Sequence, residues 1–163
     1  MPRYKLTLEY LGTNFSGWQK QKNSYSIQEA IERASSKLLQ QKIDLVVAGR
    51  TDAGVHAEGQ VAHLDVKKTF CSRKMQLGIN FYLLNEKFGQ DISIKKVVKV
   101  NSDFNARFSA KKKLYQYLIF NCYYRSAILK NKSWWVRKEV DHKKIIEASK
   151  HLLGNQNFSS FRA

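Results

Sequence analysis

The sequence predicts an α+β fold, a mostly antiparallel sheet with helices packed on it. Three observations lead there. Tyr4, Leu6, Leu8 and Tyr10 alternate with polar residues, the period of a half-buried strand. Ile27, Ala30, Ile31, Ala34 and Leu38 recur at helical spacing. The patterned stretches beyond them complete the order β-α-β-α-β-β-α, which is that of an α+β domain.

Each element has its own signal. After the first strand, Gly12 and Gly17 bracket a turn-rich link through FSGWQKQ at 15–21. Ser26-Ile27-Gln28-Glu29 has the form of a capping box and starts the first helix. Leu45 to Ala48 is a short apolar run leading into GRTDAGVHA at 49–57, and Val61 to Val66 reads as the second strand. Residues 71–84 read as a helix, against the low helix propensity of Gly78. Ile92, Ile94, Val98 and Val100 alternate as a third strand. A fourth is expected from Leu114 to Asn121, with Leu114, Gln116, Leu118 and Phe120 facing one way and Tyr115 and Tyr117 the other. Asp141 caps a last helix with Ile145, Ala148 and Leu152 on its buried face and Gly154 at its end. FSSFRA at 158–163 holds two aromatics and an arginine, unlike a polar tail, and reads as the entry to more structure.

At 163 residues the chain can form one domain with a real core. Its 29 Lys and Arg against 13 Asp and Glu give a net charge of +16. A field of that sign attracts polyanions, and nucleic acid is the leading partner. A surface merely loaded with lysine is the plainer explanation of the same charge. Cys71 and Cys122 have neither metal-site nor disulfide-framework spacing. MPRYKLTLEY lacks the apolar core of a secretory signal. No apolar run approaches the ~18 residues of a membrane span. A cytoplasmic protein without membrane contact is expected.

GRTDAGVHA concentrates the chemistry. In an extended backbone Arg50 and Asp52 share one face. Gly49 and Gly54 allow a sharp turn or a close approach to a ligand. A guanidinium nearby would lower the pKa of Asp52 and keep it ionised, as a nucleophile or base in a positive field. On spacing alone a structural Arg50–Asp52 pair in a turn is the better reading.

Several catalytic classes are excluded by their missing motifs. There is no GxxxxGK[ST] phosphate loop, no zinc-deaminase signature and no GxSxG elbow. His56 and His63 lie near Asp52 without further ligands at metal spacing, and both read as structural or as supports to the residues around Asp52. No cofactor or metal signature is present, so any chemistry runs on Asp52 and its neighbours.

FNARFSAKKKLYQY at 104–117 forms a second constellation. Lys111, Lys112 and Lys113 are candidates for phosphate contacts. Tyr115 and Tyr117 offer the aromatic platform that an extruded base needs. Tyr117 reads better as a core residue, while periodicity leaves Tyr115 undecided.

GRTDAGVHAEGQVAHLD at 49–65 closely resembles the active-site motif of the TruA family of tRNA pseudouridine synthases. FSGWQKQ resembles that family's early loop, SIQEAIERA at 26–34 its first helix, and FNARFSAKKKLYQY the segment carrying its active-site tyrosine. FSSFRA resembles a motif near the middle of its members, so the likeness runs along essentially the whole chain.

The resemblance implies a pseudouridine synthase fold, of which this chain is an incomplete, RRM- or ferredoxin-like half. Asp52 takes the place of the catalytic aspartate. Arg50 takes that of an arginine that helps to flip the target base and contacts RNA. Tyr115 takes that of a tyrosine packed against the flipped uracil. The implied reaction converts uridine to pseudouridine at positions 38 to 40 of the tRNA anticodon stem-loop. It requires no cofactor or metal, and the implied enzyme is a homodimer that binds tRNA across both subunits.

Isomerisation breaks the N1–C1′ bond, turns the uracil and rejoins it through C5. The base must first leave its stack, at a cost of a few kcal/mol, which a basic surface offsets by sequence-independent binding. The carboxylate acts at the ribose, by attack on C1′ or by removal of the C2′ proton.

Family members are longer, and their second half supplies further strands, another active-site arginine and much of the dimer contact. Residues 1–163 are therefore expected to be the N-terminal portion of the catalytic domain, in a fragment or truncated product. The competing expectation is a truncated relative that binds tRNA without catalysis. An unrelated basic RNA-binding protein would explain the charge but not GRTDAGVHA.

Overall fold

The alternating N-terminal stretch forms β1 (Arg3–Tyr10), the strand on which the sheet is built. The computed structural model describes residues 1–161 and divides into two compact units, Met1–Leu114 and a second that begins at Tyr115.

In the first unit β1 leads through the glycine-containing link to α1 (Ile27–Leu39), β2 (Val46–Val47), β3 (Ala57–Asp65), α2 (Ser72–Leu83) and β4 (Ile92–Val100). The four strands form one sheet in the order β2-β3-β1-β4, every pair antiparallel. Tyr4, Leu6, Leu8 and Tyr10 all point to one face and are buried. Against them pack Ile27, Ala30, Ile31 and Ala34 of α1 and Met75, Ile79 and Leu83 of α2, in a single core. Burial of such side chains is worth about 1.5–3 kcal/mol each, which makes this face the main source of the unit's stability.

The helix signals read from the sequence are realised. Ser26 caps α1, its hydroxyl accepting the Glu29 N–H at 3.2 Å. Gly78 does not end α2. A Cβ there would come within 2.5 Å of Leu38 Cδ1, so the glycine lets α1 and α2 approach closely.

The second face of the sheet is covered by the segment that follows β4. Arg3 grips Asp65 through two nitrogens, each at 2.8 Å, and donates to the carbonyls of Ser102 and Phe104 at 2.6 and 2.7 Å. His63 accepts the Ala106 N–H at Nδ1, 3.0 Å away, and meets the Phe104 ring edge-on. The Lys5 ammonium lies over the same ring. Residues 101–109 are thereby carried back across β1 and β3.

One expected phase is corrected. The alternation Ile92, Ile94, Val98, Val100 does not run on one face, because Val97 is buried and Val98 is exposed. A bulge is the reason. Thr7 pairs with Lys96 and Leu8 with Ile94, leaving Lys95 without a partner in the ladder. An extra residue of this kind shifts every later side chain to the opposite face. The Lys95 ammonium turns instead to Glu9, at 3.0 Å, and to the Glu58 carbonyl, at 3.1 Å.

The second unit holds a parallel pair, β5 (Ile119–Asn121) and β6 (Trp134–Val136), and α3 (His142–Ser149). The Asn121 amide ties the pair to the chain beyond it, donating to the carbonyls of Val136 and Lys138. Asp141 caps α3 as expected, accepting from the Lys144 N–H at 3.1 Å.

Two further expectations are corrected here. The strand expected over 114–121 is regular only at 119–121, because residues 114–118 have no strand to pair with among the described residues. Tyr117, expected in the core, is 87% exposed. Likewise α3 has no buried face, and Ile145 and Leu152 are exposed. Its cap and spacing suffice to form the helix, but among the described residues its apolar side is left unburied. Gly154, with φ +82°, lies beyond a 3₁₀ turn at Lys150–Leu152 rather than at the helix end. Ser159–Phe161 of FSSFRA form another such turn, and Arg162 and Ala163 lie outside the described residues. Among the described residues no helix is long and apolar enough to cross a membrane.

Candidate active site

GRTDAGVHA becomes the connection between β2 and β3. Antiparallel neighbours need only a short link, and this one is held from outside at Ala48, Gly49, Thr51 and His56. The Ala48 N–H donates to the Val61 carbonyl at 2.8 Å. The Gln60 amide donates to the Gly49 carbonyl at 2.8 Å and to the Tyr10 hydroxyl at 3.2 Å. That hydroxyl also meets Thr51 Oγ1 at 2.8 Å. Burial raises the pKa of Tyr10 above its ordinary value, so it remains a neutral phenol. The Trp18 N–H donates to the Thr51 carbonyl at 2.9 Å, and the Gly12 N–H to His56 Nδ1 at 2.9 Å.

The early link is in turn anchored on the first helix. The N–H groups of Ile27 and Gln28 donate to the carbonyls of Gly17 and Trp18. Helix N-termini present N–H groups without intrahelical partners, and α1 spends two of them holding this link. Buried Trp18 leans on Tyr10, the ring centroids 6.0 Å apart. Helix, link and motif therefore form one mechanical chain, α1 to Gly17–Trp18 to Thr51–Asp52.

Two glycines make the contact possible. A Cβ on Gly12 would fall 2.1 Å from the Val55 carbonyl oxygen. One on Gly17 would fall 2.7 Å from the Thr51 carbonyl oxygen and 3.1 Å from the Asp52 carbonyl carbon. No side chain fits at either place. Asp52 opens a turn closed by the Val55 N–H on the Asp52 carbonyl at 3.2 Å, with Gly54 at φ +80°. A glycine is favoured at that third position when φ is positive.

On this clamped backbone the side chains of Arg50 and Asp52 stand exposed. They form no ion pair with each other among the described residues, so the structural Arg50–Asp52 pair that spacing allowed is not made. An exposed carboxylate on a fixed backbone is available as a nucleophile or base. An exposed guanidinium beside it is available to phosphate or to a base edge.

His56 and His63 act as expected from the sequence, each accepting a backbone N–H that fixes a loop. Burial, followed by the nearby Arg3, lowers the pKa of His63 and keeps it neutral. Among the described residues no three His, Cys, Asp or Glu side chains come together as a metal site.

Of the second constellation, Lys113 closes on the motif. A Cβ on Gly49 would lie 2.9 Å from Lys113 Nζ and 3.2 Å from its Cε. Lys111, Lys112 and Lys113 are all exposed. Tyr115 belongs to the second unit and is 72% exposed. Periodicity did not single out Tyr10, Thr51 or Gln60 as supports of the loop. Their signal was weak, a polar tip on a strand residue, one polar residue inside the motif and one just after it.

The family model described as tRNA pseudouridine synthase matches residues 7–109. A protein of Ehrlichia canis named tRNA pseudouridine synthase A is 47% identical over 162 residues, 99% of this chain and 64% of its own length. Proteins of that name from Brucella ovis and Brucella canis are each 44% identical over 163 residues, all of this chain and 64% of theirs. The chain thus spans just under two thirds of the length of these relatives.

Proposed function

We propose a function from the premise that this chain belongs to the tRNA pseudouridine synthase family: it serves in the isomerisation of uridine to pseudouridine in tRNA. The observation that carries this reading is the placing of Asp52. Its backbone is clamped by Gly17, Trp18 and the Tyr10–Thr51 hydroxyl contact, and its carboxylate is exposed.

The substrate is a uridine of the anticodon stem-loop, at positions 38 to 40. A net charge of +16 supports the encounter with that polyanion. Asp52 is the catalytic residue and acts at the ribose of the extruded nucleotide. Arg50, two residues before it and exposed, contacts RNA and occupies the space that the base vacates. Tyr115 packs against the uracil, a role suited to a ring that is largely exposed in this structure. Holding the reacting atoms on a rigid backbone lowers the entropic part of the barrier, and the supports beneath residues 49–56 provide that rigidity.

On the same reading residues 1–163 act as the N-terminal portion of the catalytic domain, in a cytoplasmic homodimer that needs no metal or cofactor. The test is tritium release from C5 of uridine-labelled tRNA. The protein releases tritium, and Asp52→Asn abolishes release while leaving tRNA binding intact. Release unchanged by Asp52→Asn would remove the assignment.

A further inference from the structure

Among the three consecutive lysines at 111–113, one is set apart by its place. Lys113 lies against Gly49, its Nζ 2.9 Å and its Cε 3.2 Å from where a Cβ would stand. The next residue in the chain is Arg50, and Asp52 follows two later. The surface that Lys113 covers is itself fixed. The Gly49 carbonyl is held by Gln60, which is held by the buried Tyr10 hydroxyl. The segment that leads to Lys113 is anchored at residues 102–106, by Arg3 on two carbonyls and by His63 on the Ala106 N–H. A flexible ammonium is thus brought to the motif by two independently anchored stretches of backbone.

Among the described residues no carboxylate forms an ion pair with Lys113. An ammonium placed for stability alone would gain by having such a partner. One left open against Gly49, next in sequence to the exposed Arg50 and three residues before the exposed Asp52, is arranged for an anion from outside. A lysine meets phosphate as a compact point charge with three donors.

We infer that Lys113 binds a backbone phosphate of the RNA next to the nucleotide on which Asp52 acts, and that Gly49 is small in order to give its ammonium that position. The inference rests on the reading of Asp52 above. Gly49 then has a role other than turning the chain, since its φ is not positive. A methyl group there would meet only the far end of a flexible side chain, so Gly49→Ala displaces the ammonium and spares the fold.

The experiment compares wild type with Lys113→Ala, Lys113→Arg, Gly49→Ala, the Gly49→Ala/Lys113→Ala pair and Asp52→Asn. Each is measured for equilibrium binding of tRNA across a salt series and for tritium release. Lys113→Ala should raise KM about tenfold and reduce the slope of log affinity against log salt by about one, the signature of one lost phosphate contact. Lys113→Arg should restore most of the slope. Gly49→Ala should reproduce part of the loss, with an unchanged thermal midpoint. The pair should be no worse than Lys113→Ala alone, as expected of two residues acting through one contact.

Wild-type affinity and slope in Lys113→Ala would overturn the inference. So would losses in the pair that simply add. Absence of release from wild type, or release unchanged in Asp52→Asn, would strike the proposed function instead. The salt slope of Lys113→Ala still decides the phosphate contact in that case.

Discussion

Gly17 lies directly beneath the backbone of Asp52, with φ +98° and room for no Cβ within 3.1 Å of the Asp52 carbonyl carbon. The obstructing atoms are all backbone, from Thr51 to Ala53, so no side chain can move aside to relieve the contact. The position of the candidate catalytic carboxylate is therefore set by a residue 35 positions earlier in the chain, which is small enough to pass beneath it and whose carbonyl is held by the Ile27 N–H.

Gly17→Ala should accordingly be costly twice over. A left-handed L-residue costs about 1–2 kcal/mol, and forced overpacking about 1–3 kcal/mol. A loss of about 3 kcal/mol in denaturant unfolding is expected, together with loss of tritium release. Gly54→Ala is the control. It shares the positive φ but has nothing within 4 Å, so about 1–2 kcal/mol is expected. Equal costs for the two would remove the close-approach explanation.

Tyr10→Phe deletes the hydroxyl that joins Thr51 Oγ1 to the Gln60 amide and leaves the ring in the core. Hydrogen bonds of this kind contribute about 0.5–1.5 kcal/mol each. A stability loss of about 1–2 kcal/mol is expected. Tritium release should fall further than stability does, because the loop that carries Asp52 loses its support. Full activity in a measurably destabilised Tyr10→Phe protein would show that the hydroxyl supports only the fold.

Tyr115→Ala should separate function from folding. The side chain is 72% exposed, so its removal should change stability by less than about 0.5 kcal/mol. Base–aromatic stacking is worth about 1–3 kcal/mol per base, which corresponds to roughly a tenfold to hundredfold loss of tritium release. A large drop in thermal midpoint, or unaltered release, would contradict the assignment.

Acid should weaken the fold in two steps. The pKa of His63 is lowered from 6.5, chiefly by burial and then by Arg3. The unfolded chain therefore takes up this proton at higher pH than the folded one. The contribution of His63 is complete above 6.5 and is lost as pH falls through the lower folded value. Asp65 is held below 3.8 by its hydrogen bond to Arg3, and its contribution is lost only below that. Unfolding measured from about pH 7.5 down to about pH 3 should resolve both steps. His63→Gln keeps an acceptor for the Ala106 N–H and should flatten the first step alone. An unchanged first step in that variant would rule His63 out as its source.

Much of this was legible in local pattern. β1, α1 with its Ser26 cap, α2 and the antiparallel sheet follow from periodicity and capping chemistry, which depend on neighbours in sequence. Asp52 and Arg50 could be named from GRTDAGVHA because a motif is a string. The phase of β4 was not legible. Which residue leaves the ladder was decided by Lys95 finding Glu9 and the Glu58 carbonyl on other strands. The expected buried face of α3 failed for a related reason: spacing makes a face apolar, but only a packed neighbour buries it.

The family, the candidate chemical groups and the order of most elements follow from residues close together along the chain. How those groups are held follows from the folded arrangement. It brought Gly12 and Gly17 under the loop of Asp52, set Tyr10 and Gln60 beneath Thr51 and Gly49, and laid Lys113 on Gly49. It also formed no ion pair between Arg50 and Asp52 where spacing alone allowed one. These are contacts between residues far apart in sequence. Their geometry depends on the register of the sheet and on close approaches that only a glycine permits, neither of which a local pattern encodes.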